Sequence, residues 1–369
     1  VYLSILNGEA ALHDASHLMG RLTGEVDAIL REEVGEPKAE VLQYGPAAEN
    51  GVLFSSLVSM ANRNNGRTGM GLVMASKNLK AIVVKGKGGV SIADPKALAT
   101  LSKIGPKILP DNPDMPGLAQ YGTASVVMFQ NAIGSLPTFN YNQGQFAGAE
   151  PISGEVMYDT ILKERDTCHA CIVRCKRVVE VKEGRYKADP LYGGPEYETL
   201  STFGSYCGVS DLAAIAEANQ ICNQYGVDTI SAGATIAFAM ECYEKGIIGA
   251  QQTGGLALRF GDTDAMLEAL RLMVTNQGPL GQALAQGSAR AAKLWGEAAE
   301  SCLITVKNQE APAHMPQAKR SLALIYAVNP FGADHQSSEH DPYYEEGVAD
   351  LNLHRLFELD LKDPTPAYS

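Results

Sequence analysis

The chain has 369 residues, of which 45% are hydrophobic and 20% are charged, and its formal net charge is −12. This length allows two or three domains around a large buried core. The acidic balance argues against nucleic acid as a partner, because phosphate binding requires a basic surface. No run of roughly 18 apolar residues occurs, so we predict no membrane span.

Residues 1–92 alternate short apolar runs with turns, which predicts a first domain rich in β-structure. Three of these runs are typical of strands: 1–6, 39–45 and 79–86. A cap signal and the spacing of apolar residues predict two helices in the same region, over 14–33 and over 52–65.

The chain from 93 to 298 is predicted to be mainly helical, so the fold class is α+β. A last segment, 299–369, begins with a strand at 301–308 and continues as a polar loop. The predicted helices of the middle segment, each with apolar residues at helical spacing, are 95–108, 154–164, 211–225, 230–245, 263–275 and 280–297.

Seven cysteines are present, an odd number, and three of them lie within eight residues. The first residues lack the basic region and cleavage site of a secretion signal, so this is not a disulfide framework. The pattern indicates the reducing cytoplasm and a metal site. The chain begins at Val1 without Met and ends soon after a helix-like run at 351–362, which suggests a fragment of a longer protein.

The clustered cysteines are Cys168, Cys171 and Cys175, in a C-x2-C-x3-C pattern followed by Lys176 and Arg177. Short spacings let soft thiolates converge on the adjacent irons of a cubane cluster. The neighbouring cations would offset the negative charge of the thiolates. The pattern therefore indicates three ligands of an iron–sulfur cluster and a role in redox catalysis.

A fourth ligand is missing from this segment, and a distant cysteine, His169 or a cysteine beyond the C-terminus would supply it. Zinc is the alternative metal, but most zinc sites combine two C-x2-C pairs and no second pair occurs. Coincidence among buried thiols is the remaining alternative. The order of the spacings also differs from the C-x3-C-x2-C of radical SAM enzymes.

Glycines recur at 66–71 (GRTGMG), ahead of Lys77. Backbone amides of such a loop can approach a phosphate while Arg and Lys neutralise it. The spacing is neither a Walker A motif nor G-x-G-x-x-G. Tight turns explain such glycines equally well.

Glu196 and Glu198 stand at the start of a segment, where carboxylates stabilise a helix N-terminus. The functional alternative is a general acid or base beside a redox centre. His314 lies alone between prolines in a polar loop at 307–316. A lone histidine is more often structural, although rigid prolines would hold it in place.

Asn223, Gly226 and Asp228 lie where one predicted helix ends and the next begins. Gly226 suits the position after a helix C-terminus, and Asp228 suits an N-cap. Capping alone explains this motif without a functional role.

Taken in order, these segments resemble the aldehyde ferredoxin oxidoreductase family of tungsten- or molybdenum-pterin enzymes. The resemblance extends over nearly the whole chain, and the cysteine cluster, 194–200 and 71–82 are specific in combination. The segments that carry it are 14–20 (DASHLMG), 44–50 (YGPAAEN), 66–82, the cysteine cluster, 194–200, 223–231 and 307–316.

The resemblance implies a partial β-rich N-terminal pterin-binding domain at 1–92, a helical domain with the cysteine cluster at 93–298, and the start of a C-terminal domain at 299–369. It implies a tungsten (or molybdenum) bis-pterin (molybdopterin) centre, with Mg between the pterin phosphates as a further option. A [4Fe-4S] cluster would lie beside the pterin.

The implied reaction oxidises a small aldehyde and water to a carboxylic acid. The cluster would pass the electrons to ferredoxin or another electron-transfer protein in the cytoplasm. The sequence does not decide between a monomer and an oligomer.

Residue roles follow from the same resemblance. The expected pterin-binding residues, on a loop and at a helix end, are Arg67, Thr68, Gly69, Lys77, Asn223, Gly226 and Asp228. The expected catalytic residues are Glu198, with Glu196 close by, and His314, and the cluster ligands are Cys168, Cys171 and Cys175.

Four positions depart from the family pattern. Ala75 replaces a usual glycine, and Asn223 stands where aspartate is common. Met315 and Gln317 replace the Asp and Arg that usually follow the histidine. These two changes leave alternatives open: a family member that reduces an acid or an acyl thioester, or a non-catalytic electron-transfer subunit. The fourth cluster cysteine and a second pterin motif are expected beyond Ser369.

Overall fold

A six-stranded mixed sheet lies at the start of the chain in the computed structural model, which describes residues 1–112, 115–338 and 340–341. Its strands are β1 (Tyr2–Leu6), β2 (Glu9–His13), β3 (Glu40–Tyr44), β4 (Leu57–Ser59), β5 (Arg63–Asn65) and β6 (Ala81–Lys85). They lie in the order β2-β1-β6-β3-β4-β5, with β1 and β6 parallel and all other neighbours antiparallel.

One face of this sheet is covered by helix α1 (Thr23–Glu33). Val41 on β3 and Val83 on β6 are register partners, and both are buried against Val26 and Leu30 of the helix. Because successive side chains of a strand point to opposite faces, their neighbours in sequence face away from this core.

Two predictions in this region differ from the structure. The helix expected over 14–33 begins only at Thr23, after a 3₁₀ turn at Ser16–Leu18. The helix expected over 52–65 is wrong, because this segment forms β4 and β5. Its near-helical apolar spacing is overridden by pairing of β4 with β3, and β-structure depends strongly on such tertiary context.

The rest of the described chain is mainly helical, which confirms the α+β class. Two short antiparallel hairpins interrupt it, β7 (Leu162–Asp166) with β8 (Lys176–Val179) and β9 (Thr305–Val306) with β10 (Gln309–Glu310). The helices are α2 (Pro46–Glu49), α3 (Met70–Ser76), α4 (Pro95–Leu101), α5 (Gly105–Ile108), α6 (Met115–Tyr121), α7 (Val127–Ala132), α8 (Gly154–Thr160), α9 (Tyr197–Phe203), α10 (Leu212–Tyr225), α11 (Thr229–Glu244), α12 (Ala250–Thr253), α13 (Thr263–Thr275), α14 (Gly278–Leu284), α15 (Ser288–Trp295), α16 (Glu297–Glu300) and α17 (Arg320–Val328).

Several predicted helices agree closely with these bounds. The helix expected over 263–275 is α13, and those expected over 211–225 and 230–245 are α10 and α11. The helix expected over 280–297 is divided at Gly287, whose φ of 80° is incompatible with a continuing helix. The helix-like run at 351–362 lies outside the described residues.

Helix α11 is the centre of the helical part. Every residue from Ile230 to Cys242 is buried, so the helix is covered on all sides by neighbours that include α9, α13 and α15. Its N-terminus, at Asp228, faces the first sheet. Val227, just before it, forms an antiparallel β-bridge with Ser55. None of the helices in the described ranges is long and apolar enough to span a bilayer.

Candidate active site

Glu198 and His314 come together in the interior, although 116 positions separate them in sequence. Glu198 lies in the first turn of α9, and His314 lies in the loop after β10. The Ala313 amide donates to Glu198 Oε2 over 2.8 Å, and His314 Nε2 lies 3.2 Å from Glu198 Oε1. The carboxylate is thus held at one oxygen and faces an imidazole with the other.

The second oxygen, Glu198 Oε1, is buried and makes no aligned hydrogen bond within the described ranges. It lies between His314 Nε2 at 3.2 Å and His335 Nε2 at 3.7 Å. A buried polar atom without a hydrogen bond is uncommon, and such atoms concentrate where a protein binds or transforms something. This oxygen is therefore the best candidate for a reacting group.

The protonation states of the pair are set by their surroundings. Burial disfavours the Glu198 carboxylate, but His335, His314 and the Ala313 amide together lower its pKa to about 2. Burial lowers the pKa of His314 to about 4, although Glu198 opposes this shift. At neutral pH the site holds an ionised carboxylate beside a neutral imidazole.

Three basic groups that sequence reasoning missed surround His314. Lys319 Nζ lies 2.9 Å from His314 Nδ1 and 3.2 Å from His340 Nδ1, and the His335 ring stacks on His314 with centroids 5.2 Å apart. His335 and His340 stand five residues apart in a chain with seven histidines. That spacing was the available signal, but no periodicity connects it to His314.

Four tyrosines, which we name the tyrosine cradle, hold the segment that presents His314. Their hydroxyls donate to four successive carbonyl oxygens. The pairs are Tyr206 to Ala311 (3.2 Å), Tyr141 to Pro312, Tyr197 to Ala313 (2.7 Å) and Tyr326 to His314 (3.1 Å). Each of these carbonyl oxygens accepts a hydrogen bond from a phenol, which fixes the conformation of the segment. In that conformation the Ala313 amide points at Glu198.

Glu198, His314 and His335 could also hold a metal ion. One ligand atom from each lies within 4.8 Å of the other two, and they are the one such group found among the described residues. Two imidazoles and a carboxylate are a ligand set for Zn²⁺ or Fe²⁺. The same geometry serves proton transfer, since it combines a proton acceptor with two imidazoles.

Glu196, two residues earlier, is the N-cap residue of α9 and has different contacts. Its Oε2 accepts a hydrogen bond from Thr123 Oγ1 over 2.6 Å, and its Oε1 lies 3.6 Å from Arg63 Nη1. It is half-exposed and close enough to Cys175 to raise the pKa of that thiol, after the larger effect of burial. The structure therefore separates the two glutamates: Glu198 faces His314, and Glu196 faces the cysteine loop.

Arg67 and Asp228, two of the residues expected at the pterin, form a buried ion pair. Arg67 Nε lies 2.9 Å from Asp228 Oδ2, and Arg67 Nη2 donates to Ser231 Oγ over 3.1 Å. Asp228 also caps α11 by accepting from the amides of Ile230 and Ser231. Protein groups occupy most donors of this guanidinium, so its main contacts are internal.

Asn223 and Gly226 lie at the same junction. Asn64 Nδ2 donates to Asn223 Oδ1 over 3.0 Å, which links β5 to the end of α10. A Cβ at Gly226, whose φ is 72°, would lie 2.8 Å from the Gly45 nitrogen. Backbone contact between the first sheet and α10 thus requires both glycines.

The glycine-rich loop is also shaped by close packing. A Cβ at Gly69 would lie 2.1 Å from the Leu53 carbonyl oxygen, and one at Gly71 would lie 2.5 Å from that of Ser56. Thr68 is exposed beside this contact, whereas Lys77 is exposed at the other end of α3, roughly 10 Å along the helix. The structure brings Arg67, Asn223, Gly226 and Asp228 to one junction and places Lys77 apart from it.

Between this junction and the cysteines lie polar atoms that lack partners. Asn62 Oδ1 and Arg63 Nε are buried and make no hydrogen bond among the described residues. Arg63 carries a positive charge, so its free donor suits an anionic group. A phosphate-bearing or sulfur-bearing cofactor placed between the two sites would satisfy it.

Cys168, Cys171 and Cys175 lie in the turn between β7 and β8. Cys168 and Cys171 are exposed and Cys175 is half-buried. The Cys171 amide donates to the Cys168 carbonyl over 3.1 Å, and Ala170 and Arg174 have positive φ values of 53° and 55°. The turn therefore bends sharply, with Cys168 and Cys171 at the surface and Cys175 partly covered.

The three thiols are not all as close together as the ligands of a single zinc ion would be. Two thiolates on one Zn²⁺ lie at most about 4.6 Å apart, because each Zn–S bond is about 2.3 Å. The three sulfur atoms do not form a group within 4.8 Å of one another in the described chain. Beneath them, Lys176 and Arg177 are buried, and Lys176 pairs with Asp166 at 3.0 Å.

The four remaining cysteines belong to the main hydrophobic core, at Cys207, Cys222, Cys242 and Cys302. Their burial in that core separates them from the exposed turn at 168–171. Burial raises the pKa of the Cys207 and Cys222 thiols well above the ordinary range, so these act as apolar packing groups.

Comparison with known proteins finds matches over most of the chain. Residues 1–86 match the family described as "Aldehyde ferredoxin oxidoreductase, N-terminal domain", and residues 100–364 match "Aldehyde ferredoxin oxidoreductase, domains 2 & 3".

Two relatives, each named tungsten-containing aldehyde ferredoxin oxidoreductase, come from Thermococcus kodakarensis and Pyrococcus furiosus. Each is 38% identical over 341 residues, which cover 91% of this chain and 54% of the relative. The chain thus spans about half the length of these curated relatives.

A solved structure is also similar, the active-site complex BamBC of benzoyl coenzyme A reductase in complex with 1,5-dienoyl-CoA. Its TM-score is 0.73 at 25% identity, and the match covers 89% of this chain and 51% of that one. The sheet and the helical arrangement described above are therefore shared with that reductase complex.

Proposed function

The chain belongs to the aldehyde ferredoxin oxidoreductase family, and on that premise we propose that it forms part of an enzyme that oxidises aldehydes to carboxylic acids. The reaction takes an aldehyde and water to an acid and releases two protons and two electrons. In the proposal Glu198 accepts a proton while the Nε2–H of His314 orients the substrate oxygen, and the electrons pass to a cluster held by Cys168, Cys171 and Cys175.

The observation that carries the proposal is the buried, unsatisfied Glu198 Oε1 beside a neutral His314. An ionised carboxylate in the interior can accept the proton of a reacting water or hydrated aldehyde. The His314 Nε2 proton can hydrogen-bond the substrate oxygen at the same position. Burial disfavours an ionised carboxylate, and a protein that only transferred electrons would have no use for one in its interior. The buried carboxylate of Glu198 therefore supports a catalytic role.

A tungsten (or molybdenum) bis-pterin centre, when bound, supplies the two-electron oxidation. Arg63 Nε and Asn62 Oδ1 support its placement between the Arg67–Asp228 junction and the cysteine turn, because both are buried and free of hydrogen bonds in the described chain. We propose that Thr68, Gly69, Asn223 and Gly226 form the adjacent wall. Arg67 and Asp228 hold this wall together, and Lys77 reaches the pterin least directly.

The three-cysteine turn is proposed as the exit for electrons, with a [4Fe-4S] cluster that passes them to ferredoxin. Cys168 and Cys171 are exposed. Beside them, Ile172 is 47% exposed. It lies next to α5, since a Cβ built at Gly105 would be 3.4 Å from the Ile172 side chain. Ile104 and Ile108 are also exposed there, flanked by Lys103 and Lys107. An apolar surface rimmed by cations suits a small acidic electron carrier.

The test uses the full-length protein that contains this chain, purified without oxygen. We expect tungsten or molybdenum, roughly four irons per chain, and aldehyde-dependent reduction of a viologen dye. Glu198→Gln and His314→Gln should each lower kcat by roughly 10²- to 10⁴-fold while metal content is unchanged. Glu196→Gln is the matched control and should retain most of the activity, since Glu196 faces Arg63 and Thr123 instead.

The alternatives give different results in the same assay. A protein with neither tungsten nor molybdenum contradicts the proposal. Bound metal with no aldehyde oxidation, but with reduction of an acid or acyl thioester, assigns the chain to another substrate class within the family. The substitutions Met315 and Gln317 and the similarity to the benzoyl coenzyme A reductase complex are the observations that keep this second candidate.

A further inference from the structure

Lys319 occupies a position that is unfavourable for a lysine. Its side chain is 8% exposed, although lysine is rarely buried. It is also the N-cap residue of α17, where the helix dipole disfavours a positive charge. Burial lowers the pKa of its ammonium to about 8, while Asp341 and Glu198 favour the charged form. Such a placement calls for a specific partner.

The partners are two imidazole nitrogens. Lys319 Nζ lies 2.9 Å from His314 Nδ1 and 3.2 Å from His340 Nδ1. An ammonium has only protons to donate, so both of these nitrogens must be acceptors. His340 corroborates this independently: its Nε2 lies 3.0 Å from the His335 carbonyl oxygen, which can only accept, so the His340 proton is on Nε2.

The consequence for His314 is a defined tautomer. With Nδ1 accepting from Lys319, a neutral His314 carries its proton on Nε2, the atom 3.2 Å from Glu198 Oε1. The assignment follows from the hydrogen-bond network, as tautomer assignments generally do. A second proton on His314 would have to displace the ammonium from Nδ1, so Lys319 also opposes formation of the imidazolium.

We propose that Lys319 is a positioning residue of the site, whose ammonium holds His314 as the neutral Nε2–H tautomer facing Glu198 Oε1. The inference rests on the proposed acid–base role of Glu198 and His314 and extends it to a third residue. The charged and titratable groups around this arrangement include Glu198, His335, His340, Asp341 and Tyr197, whose ring centroid lies 5.4 Å from that of His314. Lys319 itself does not contact the substrate position; it acts through His314.

The first test compares Lys319→Met and Lys319→Gln in full-length holoenzyme, with Lys293→Met, an exposed lysine of α15, as the control. Methionine keeps the length of the side chain but offers no donor, whereas the glutamine amide still donates to Nδ1. Lys319→Met should lower kcat by roughly 10- to 100-fold with a smaller change in KM. Lys319→Gln should recover part of this loss, and Lys293→Met should match the wild type.

The pH profile separates positioning from packing. Removal of the ammonium removes a like charge from His314, so the limb of kcat/KM that reports His314 should move to higher pH in both Lys319 variants. If Lys319→Met lowers activity while this limb stays in place, Lys319 is only a packing residue and the proposal is wrong. If Lys319→Met does not fold, the same limb in Lys319→Gln decides.

A readout without turnover makes the inference independent of the substrate. In protein labelled with ¹⁵N-histidine, the two ring-nitrogen shifts of His314, assigned through His314→Gln, report the tautomer. We expect the Nε2–H form in the wild type and loss of that preference in Lys319→Met. An unchanged tautomer in the variant overturns the proposal, even if aldehyde oxidation has been demonstrated. A changed tautomer in a protein that oxidises no aldehyde upholds it and contradicts the proposed function alone.

Discussion

Arg67 Nε lies 2.9 Å from Asp228 Oδ2, and each side chain is only 9% exposed. The same guanidinium donates to Ser231 Oγ and to the carbonyl oxygens of Glu310 and Ala333. One side chain thus joins the glycine-rich loop, the start of α11 and the segment that carries His335. The junction beside the candidate active site depends on this contact.

Asp228→Ala should destabilise the protein strongly, because it removes a helix cap and leaves Arg67 buried without its partner. We expect a loss of roughly 3–5 kcal/mol in the free energy of unfolding by urea. Asp262→Ala is the matched control. Asp262 caps α13 through the Ala265 amide and is in no ion pair among the described residues, so its loss should be about 1 kcal/mol. Equal losses would contradict a special role for the ion pair.

The stability of the protein should fall as pH drops from about 6.5 to about 4, through His314. Burial lowers its pKa from 6.5 to about 4 in the folded state. The unfolded chain therefore binds this proton first, and stability rises with pH across that window. The wild type should lose up to roughly 3 kcal/mol more than His314→Gln between pH 7.5 and pH 4.5. Chemical denaturation at several pH values tests this, and parallel curves would refute it.

Glu198 gives a second, more acidic window. Its pKa is lowered from 4.5 to about 2, so the folded state keeps the carboxylate ionised where the unfolded chain protonates it. Its contribution is complete above about pH 4.5 and is lost as pH falls toward 2. Glu198→Gln should be less sensitive to acid than the wild type in this range, as followed by circular dichroism. A variant with the same acid sensitivity would contradict the assignment.

Removing a hydroxyl from the tyrosine cradle should cost stability and activity together. Tyr197→Phe leaves the Ala313 carbonyl oxygen buried without its donor, for a loss of roughly 1–3 kcal/mol in thermal unfolding. Because Ala313 also donates to Glu198, kcat should fall as well. Tyr186→Phe, which removes an exposed hydroxyl bonded to Asp264, is the control and should change neither.

Replacement of one of the proposed cluster ligands should remove the iron. In full-length protein, Cys171→Ser should lose roughly four irons per chain and the spectroscopic signal of the reduced cluster. Cys222→Ser, a buried core cysteine, should retain both. Stoichiometric zinc in the wild type, with little iron, would instead favour the alternative metal.

Substitutions on the surface beside the cysteine turn should affect only the reduction of the protein electron acceptor. Ile172→Asp and Lys107→Glu should raise the KM for ferredoxin roughly tenfold, because they remove apolar contact and positive charge. Reduction of a small viologen dye should be unchanged. Leu294→Asp, which alters a residue 68% exposed on α15, serves as the control. Equal effects of all three variants would place the acceptor elsewhere.

Local patterns in the sequence were sufficient for much of the fold. The helices at 211–225, 230–245 and 263–275 were found because capping residues and helical spacing agree there. The strands at 1–6, 39–45 and 79–86 were found from short apolar runs. The failure at 52–65 has a physical cause: strands of three residues are stabilised by their neighbours and leave little periodicity.

The site divides in the same way. Cys168, Cys171 and Cys175 could be predicted as metal ligands from the sequence alone, because a short cysteine spacing is by itself typical of a metal site. The different contacts of Glu196 and Glu198 could not be predicted, since one residue caps α9 and the other lies in its first turn, and only the packing of the helix shows which of them faces His314.

The sequence by itself determined the family, the fold class and the residue types available for redox and acid–base chemistry. The tertiary structure alone decided that Glu198 meets His314, that Lys319 and His340 lie behind it, and that four tyrosines hold the loop. The reason is physical: the contact between Ala313 and Glu198 joins residues 115 positions apart, and the contact of Lys319 with His314 depends on how an irregular loop folds, so neither leaves a periodic trace in the chain.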